Sequence, residues 1–509
     1  MKVQNCLELL ALASLTACAQ SKKPNLVFVF ADQLRYDALG CNGNEKAITP
    51  RIDAFAREAV DLCNATAVSP VSAAYRASLF TGKYCSSTGL IINEINMNPN
   101  HHFFAQVCDE NGYNCGYVGK VHLNDQYERP YQKGPERMGF DDYWATYTFN
   151  HNSYRGYYYT DGPNVDNIRV DLTDQYSPDV FTKLACDYME RASKKKKPFV
   201  MFLSWNPTHD PWEKFNCDPE CYKKFENMEF DFPVNFKEEV DQYMDRYPGG
   251  YLTKQGWNPN YLKEGYQRNQ RAYYAMTNSI DNEFGKVLDK IDELGIKDNT
   301  IVVFTSDHGE QFMSQGRIFK LTFYNESAHI PMFIRYPKGG VMGRRSDVCI
   351  NTPDLMPTLL SLMGLKKKIP AEVEGMDLSG VLKGEEGAAE PEYAFLQGMG
   401  HTHLWQDGFE WRCIRSKDYC YAKYLRDGSE HLFDQRNDPY QMHDLVDDPA
   451  YEGVLNEYRA KLDKQLADLN DEFKPCTWYR DNWMYKRFSI KAAAHGEFGP
   501  LPPLEPRRH

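Results

Sequence analysis

A serine and an arginine, Ser72 and Arg76, lie one helical turn apart in the segment 72–82. The residues Ser69-Pro70 interrupt an extended stretch, and the apolar residues after Ser72 have helical spacing, which predicts a helix that begins at or just before Ser72. Free backbone N–H groups and the helix dipole favour an anion at such an end. A serine there is more often a helix cap, so this segment alone does not separate the two interpretations.

Other polar residues follow apolar runs that are typical of strands buried on both faces. These runs cover residues 25–31, 114–119, 198–205 and 300–305. The polar residues at or shortly after their ends are Asp32, Gln33, Lys120, His122, His209, Asp307 and His308. Buried strands that alternate with helices predict a doubly wound α/β sheet, whose sites lie at the carboxyl ends of the strands. We therefore expect these side chains to converge.

Taken together, these segments resemble the motifs of the formylglycine-dependent sulfatases of the alkaline phosphatase superfamily. Ser72, Ala74 and Arg76 fill the fixed positions of the family's Cys/Ser-x-Pro/Ala-x-Arg signature, and 79–82 matches its Leu-x-Thr-Gly tail. The other motifs are matched in chain order by Asp32-Gln33, Gly119-Lys120-Val121-His122, His209 with its neighbours, Ser306-Asp307-His308-Gly309, and Lys320. The resemblance extends from about residue 24 to about residue 450.

The resemblance implies that Ser72 is the nucleophile's precursor. A sulfatase-maturing enzyme would oxidise Ser72 to formylglycine, a built-in cofactor whose hydrate attacks the sulfur. Arg76 would hold the hydrated aldehyde. Ala74 replaces the commoner proline, a departure associated with the serine-type members of the family.

The resemblance also implies the groups that handle sulfate and protons. Lys120 and Lys320 would hold sulfate oxygens, and His122 would deprotonate the second hydroxyl of the hydrate to expel sulfate. His209 would be the acid that protonates the leaving oxygen, with Lys320 as the rival for that role.

One divalent cation is implied beside the nucleophile. Its ligands would be Asp32, Gln33, Asp307 and His308, together with residue 72. Gln33 stands where many members have a second aspartate, and His308 where many have asparagine. A neutral amide suits Ca²⁺, but imidazole is softer than Ca²⁺ prefers, so Ca²⁺ is the first choice and Mn²⁺ or Zn²⁺ stay open.

The leading interpretation is a sulfuric ester hydrolase that acts on a sulfated carbohydrate, such as a glycosaminoglycan, a mucin-type glycan or an algal glycan. The Asp-Gln and Asp-His pairs also occur in the related phosphonate monoester hydrolases, so a phosphonate or phosphodiester hydrolase is the alternative enzyme. A glycan-binding protein on an inactive scaffold is the non-enzymatic alternative, which the retention of every catalytic position disfavours.

Composition limits the partners. The chain of 509 residues has a net charge of −12, which disfavours nucleic acid because no basic field gathers phosphates. Its 14 cysteines form no compact framework. Cys217 and Cys221 are close enough in sequence for a local disulfide, and free thiols are the alternative.

The first residues predict export. Residues 1–17 have the features of a short secretory signal, and Leu15-Thr16-Ala17-Cys18 resembles a bacterial lipobox. This implies a lipid anchor on Cys18 and a place in the periplasm or outer membrane of a Gram-negative bacterium. No other segment has transmembrane length, so that anchor would be the only attachment to a membrane.

A connection rich in lysine near residues 366–370 predicts a domain boundary. We expect a catalytic domain over 18–375, with a large, mostly parallel sheet between helices. We also expect a C-terminal α+β subdomain over 376–509, with a small antiparallel sheet and a helix. Helices are predicted near 50–59, 268–294 and 352–363 in the first region and near 451–469 in the second.

Candidate sugar contacts lie in predicted loops, because loops over a rigid sheet often carry specificity. These candidates are His101, Trp212, His401, His403 and Trp405, with the tyrosine-rich segment 154–159 and Trp257. The alternative is that these side chains only pack the loops.

Overall fold

The computed structural model describes residues 23–93, 95–124, 131, 133–237, 259–337 and 342–484. The predicted signal at 1–17, the predicted anchor residue Cys18 and Trp257 lie outside them. Within these ranges, no helix is both long and apolar enough to cross a membrane. The division between residues 375 and 376 stays a prediction.

A ten-stranded sheet forms the centre of the molecule. Its strands are β1 Asn25–Ala31, β2 Val60–Leu62, β3 Asn114–Lys120, β4 Tyr143–Tyr147, β5 Arg155–Thr160, β6 Ile168–Thr173, β7 Phe199–Trp205, β8 Thr300–Ser306, β9 Met332–Arg335 and β10 Arg345–Ser346. Their spatial order is β10-β2-β9-β8-β1-β7-β3-β4-β5-β6. The central run β8-β1-β7-β3-β4 is parallel throughout. The predicted doubly wound, mostly parallel α/β sheet is confirmed.

Helices cover both faces of this sheet and support the smaller one. The α-helices are Pro50–Glu58, Ser72–Thr81, Cys85–Thr88, Phe104–Glu110, Ser177–Ser193, Pro219–Phe225, Pro259–Glu293, Asn325–Ala328, Thr352–Leu362, Ser379–Lys383, Glu452–Leu469 and Cys476–Tyr479. Short 3₁₀ turns are Tyr36–Ala38, Gly40–Asn42, Pro135–Arg137, Lys214–Asn216, Lys297–Asn299, Lys366–Lys368 and Pro449–Tyr451, and Arg480–Met484 is a π turn.

Strand β1 shows why the central strands are continuous apolar runs. Side chains of a strand alternate between the two faces of a sheet. Leu26, Phe28 and Phe30 pack into one core cluster on one face of the sheet, and Val27, Val29 and Ala31 pack into another on the opposite face; all six are buried. Because both faces are buried, no polar residue stands between Leu26 and Asp32.

A second, antiparallel sheet is built from the C-terminal region. Its strands, in spatial order, are β11 Tyr393–Gly398, β12 Trp411–Ser416, β13 Tyr419–Tyr424 and β14 Glu430–Asp434. The helix Glu452–Leu469 buries Leu455, Tyr458 and Leu462 with one face of this sheet. The small antiparallel sheet and its helix are confirmed.

Two local predictions differ from the structure. The helix expected over 268–294 begins earlier and spans Pro259–Glu293. The tyrosine-rich segment 154–159, expected as a loop, is largely strand β5, which pairs antiparallel with β4 and β6. Tyrosine favours strands, and Tyr158 packs edge-on against Phe181 at 6.0 Å.

All cysteines within the described ranges are free thiols. Cys217 Sγ contacts the carbonyl oxygens of Glu213 and Ala272, and Cys221 Sγ accepts a hydrogen bond from Asn282. The local disulfide that the sequence left open is therefore not formed in this structure.

Candidate active site

Polar groups from four adjacent parallel strands meet at one edge of the large sheet. In the spatial order β8-β1-β7-β3, Asp307 follows β8, Asp32 follows β1, His209 follows β7 in sequence, and Lys120 ends β3. The carboxyl ends of parallel strands share one edge, so the fold brings together residues that are far apart in sequence. This convergence is what the sequence pattern predicted for the α/β fold.

Ser72 is the first residue of the helix Ser72–Thr81, and it does not cap that helix. Val71 occupies the cap position, and no side-chain capping bond is formed. The Ser72 Oγ atom instead lies 3.0 Å from His308 Nε2 and 3.3 Å from Asp32 Oδ1. The hydroxyl therefore points at the acidic cluster beside the helix N-terminus.

Asp32, Asp307 and His308 form a buried cluster that fits a cation. Their potential ligand atoms all lie within 4.8 Å of one another, and all three side chains are buried. Two carboxylates with one imidazole suit Mn²⁺ or Zn²⁺, and the carboxylates also suit Ca²⁺. The fit of the site to a divalent cation therefore rests on these three residues.

Positive charges compensate the two carboxylates. Arg76 Nη2 donates to Asp307 Oδ2 at 3.0 Å and to Asp32 Oδ2 at 3.2 Å, and Lys120 Nζ donates to Asp32 Oδ2. Burial alone would raise the pKa of Asp32, but the charges of Lys120 and Arg76 hold it well below its usual value. Asp32 is thus a carboxylate that is ready to act as a ligand.

Arg76 also organises the ends of two strands. Its Nη1 atom donates to the Lys120 carbonyl oxygen at 2.6 Å and to Ser204 Oγ at 2.8 Å. The guanidinium carbon lies 4.7 Å from the centre of the Phe30 ring. A fixed, fully buried guanidinium holds β3, β7 and the acidic cluster in register with the Ser72 helix.

Gln33 uses its amide in a hydrogen-bond chain. Its Oε1 atom accepts from Lys320 Nζ at 2.6 Å, and its Nε2 atom donates to Glu310. Its backbone N–H donates to Asp307 Oδ1 at 3.0 Å. The amide oxygen already accepts a hydrogen bond from Lys320, so its role as a metal ligand stays a prediction.

His122 is a buried neutral histidine. Among the described residues, neither ring nitrogen has a hydrogen-bond partner. Burial, followed by the charges of Lys120 and Arg76, holds its pKa well below its usual value. A neutral imidazole with open nitrogens has the properties of a proton acceptor.

His209 and Lys320 are hydrogen-bonded to each other. Lys320 Nζ lies 2.9 Å from His209 Nε2, and both side chains are buried. The two residues that compete for the acid role are therefore neighbours.

The five predicted sugar contacts fall into different environments. The rings of His401 and His403 pack edge-to-face with their centres 5.3 Å apart, and burial followed by the charge of Lys320 lowers the pKa of His403. His101 contacts the Thr88 carbonyl oxygen through Nε2. Trp212 and Trp405 are buried in core clusters.

The surroundings of Trp212 are those of a packing residue. Its indole N–H donates to the Thr208 carbonyl oxygen at 2.9 Å, and its ring centre lies 4.6 Å from that of Phe312. The face that would stack on a sugar is therefore covered by protein.

Sequence reasoning missed three residues at this site. They are His151, whose ring stacks on His209, Asp210, which contacts the same ring, and Glu310, which accepts from Gln33. Asp210 directly follows His209, and Glu310 lies two residues after His308, so a search of the neighbours of the motif residues would have found both. His151 stands after β4 in a segment without a motif.

The fold and the buried acidic cluster agree with the similarity of this chain to known hydrolases of sulfate esters. The chain belongs to the sulfatase family: the model named Sulfatase matches residues 24–365. The model for the C-terminal region of N-sulphoglucosamine sulphohydrolase matches residues 315–471. Membership makes the chain a sulfuric ester hydrolase.

The proteins similar to this chain include bacterial glycan sulfatases. The chain is 34% identical to an ulvan-active sulfatase of Formosa agariphila over 91% of this chain and 85% of the relative. It is 29% identical to an endo-4-O-sulfatase of Bacteroides thetaiotaomicron over 92% of this chain and 96% of the relative. A solved structure from a Bacteroides thetaiotaomicron locus for the metabolism of multiple glycosaminoglycans has a TM-score of 0.75 and 26% identity, covering 92% of this chain and 100% of that one.

Proposed function

We propose that this protein hydrolyses a sulfate ester on a sulfated carbohydrate, with a nucleophile that is made from Ser72. The observation that carries the proposal is the position of Ser72 Oγ, 3.0 Å from His308 Nε2 and 3.3 Å from Asp32 Oδ1 at a helix N-terminus. A sulfate drawn to this end of the helix would meet the nucleophile and the cation site together. The relatives support a carbohydrate as the carrier of the sulfate.

Oxidation of Ser72 to formylglycine supplies a nucleophile that can be regenerated. The hydrate offers one hydroxyl that attacks the sulfur and a second whose deprotonation releases sulfate. An unmodified serine would leave a covalent sulfate with no comparable exit. Arg76 is close enough to the acidic cluster to hold the hydrate, and a serine-type maturation enzyme is the partner that this chemistry requires.

Asp32, Asp307 and His308 would hold one divalent cation, with Gln33 and residue 72 as further ligands. A bound cation would polarise the sulfate and lower the pKa of the attacking hydroxyl. Ca²⁺ is the first choice, and the imidazole of His308 keeps Mn²⁺ and Zn²⁺ as alternatives.

The remaining residues bind sulfate and move protons. Lys120 lies at the cluster through its contact with Asp32, and substrate would compete for its ammonium group. His122, neutral and without a bonded partner among the described residues, would accept the proton that is lost when sulfate leaves. His209 would deliver a proton to the sugar oxygen of the breaking S–O bond, and the 2.9 Å contact supports Lys320 as its partner in that role.

His403 is the candidate that best fits a sugar contact. Its side chain is half-buried and the charge of Lys320 acts on its pKa, whereas the His401 ring that packs against it is fully buried. We further propose export of the protein and lipid attachment at Cys18, on the basis of the sequence alone.

A panel of position-defined sulfated monosaccharides and disaccharides tests the function. Released sulfate and released phosphate are measured in parallel, with a phosphonate monoester as the competing substrate. Sulfate release from at least one saccharide, absent in Ser72→Ala, supports the proposal. A preference for the phosphonate would favour the alternative enzyme, and saccharide binding without turnover by matured protein would favour a glycan-binding protein.

A further inference from the structure

The His209 ring is held on three sides. Its Nδ1 atom lies 2.9 Å from Asp210 Oδ1 and 3.1 Å from the Asp210 carbonyl oxygen. Its Nε2 atom lies 2.9 Å from Lys320 Nζ. The ring of His151 stacks on its face, with the ring centres 3.8 Å apart.

These contacts determine which ring nitrogen carries the proton. A carbonyl oxygen and a carboxylate oxygen only accept hydrogen bonds, so Nδ1 must donate. An ammonium group only donates, so Nε2 is the acceptor toward Lys320. Burial alone would raise the pKa of Asp210, but its hydrogen bond from the His209 ring and the charge of Lys320 hold that pKa well below its usual value, in keeping with a carboxylate acceptor.

A metal site is the competing interpretation of the same residues. His151, His209 and Asp210 can place one ligand atom each within 4.8 Å of one another. The lone pairs of imidazole lie in the ring plane, and here the planes are stacked with only 30° between them. Two stacked rings do not aim their lone pairs at one point, so the arrangement suits packing better than ligation.

We propose that Asp210 is a positioning residue for His209, which it holds with the proton on Nδ1 and with Nε2 facing Lys320 and the leaving group. The inference rests on the proposed sulfatase function. In the proton transfer it supports, Lys320 Nζ gives a proton to His209 Nε2 and becomes a neutral amine, and Nε2 gives that proton to the sugar oxygen as the S–O bond breaks. The Nδ1 proton stays between His209 and Asp210, and the negative charge of Asp210 offsets positive charge on the ring.

The experiment compares two substrates in matured enzyme with metal bound. A sugar sulfate has a poor leaving group and needs the proton, whereas 4-nitrophenyl sulfate does not. General acid catalysis contributes about 10²–10⁴-fold in all, and loss of the positioning carboxylate should cost part of that. Asp210→Asn should therefore lower kcat on the sugar sulfate by about 10-fold or more, and it should leave kcat on the aryl sulfate within about 2-fold. Asp218→Asn is the matched control: Asp218 caps a nearby helix through the Cys221 N–H, and its change should spare both rates.

A double variant separates positioning from a general loss of structure. His209→Ala/Asp210→Asn should be no slower on the sugar sulfate than His209→Ala alone, because Asp210 acts through His209. Equal losses on both substrates, or additive losses in the double variant, would overturn the inference. If His209→Ala itself shows no preference between the substrates, the acid role in the proposed function fails instead. A second bound metal that Asp210→Asn removes would favour the metal site.

Discussion

Lys320 Nζ lies 2.9 Å from His209 Nε2, so the two candidates for the acid role share one hydrogen bond. Lys320 also donates to Gln33 at 2.6 Å, which ties the pair to the cation site. Removal of either side chain should therefore disturb the other, and the leaving-group dependence of each variant is the measurement that separates them.

The first prediction concerns His209. We expect His209→Ala to lower kcat on a sugar sulfate by about 10²–10⁴-fold and to affect an activated aryl sulfate far less, because only the poor leaving group needs a proton. Steady-state kinetics on both substrates are the measurement. Similar losses on both would mean that His209 binds substrate instead of protonating it.

The second prediction concerns the metal. We expect one divalent ion per chain, loss of activity in chelator and recovery on addition of Ca²⁺, with Mn²⁺ and Zn²⁺ tested beside it. Asp32→Asn and Asp307→Asn should lose the ion, because these carboxylates supply the negative charge of the cluster. Elemental analysis after dialysis measures this. Asp142→Asn, at an exposed ion pair with Lys195, is the control that should keep the ion.

Full activity of the chelator-treated enzyme would contradict the metal model. Retention of the ion by both aspartate variants would contradict the assignment of these two ligands.

The third prediction separates packing from binding among the aromatic candidates. We expect Trp212→Ala to lower the free energy of unfolding by about 3–5 kcal/mol, the usual cost of removing a large buried ring. His403→Ala should raise KM for the saccharide with little loss of stability. Denaturant unfolding and kinetics on the same samples decide both. A stable Trp212→Ala protein with a raised KM would return Trp212 to the substrate site.

The fourth prediction concerns pH and the small sheet. Asp471 is buried against Arg412, with oxygen–nitrogen distances of 2.6 and 2.9 Å. Burial alone would raise the pKa of Asp471, but the charge and hydrogen bonds of Arg412 hold it below its usual value of 3.8. A depressed folded-state pKa means that the stabilisation is present above about pH 4 and is lost as pH falls through the folded-state pKa.

We therefore expect Asp471→Asn to cost about 3–5 kcal/mol near pH 7, because it leaves Arg412 buried without its counter-charge. The difference in unfolding free energy between this variant and the unchanged protein should shrink as pH falls below about 4. Urea unfolding at several pH values measures it, with the exposed Asp468→Asn as the control that should change little. A difference that is constant with pH would show that the carboxylate charge does not contribute.

Much of the architecture can be predicted from the sequence, because strands that are buried on both faces appear in it as continuous apolar runs. The strands β1, β7 and β8 are buried on both faces. Asp32 directly follows β1 and Asp307 directly follows β8, so the change to an acidic residue marks the point where these two strands reach the site. Strand β5 was not predicted, because its run of tyrosines carries no clear alternation of apolar and polar residues.

The contacts between side chains within the site could not be predicted from the sequence, and the reason is different. The approach of His151 to His209 depends on how the chain after β4 returns over the sheet, and no local pattern specifies that path. Trp212 shows the converse: its residue type suited a sugar platform, but its neighbours Tyr273 and Phe312 cover the ring.

The most direct test of the central claim is peptide mass spectrometry over residues 65–83, combined with multiple-turnover sulfate release from a saccharide by the same samples. Oxidation of Ser72 to formylglycine removes two hydrogens at that position. Protein made with and without a serine-type maturation enzyme gives samples with different oxidised fractions. We predict that activity rises in proportion to the oxidised fraction and is nearly absent without it. Full multiple-turnover activity from protein whose Ser72 is wholly unmodified would contradict the account.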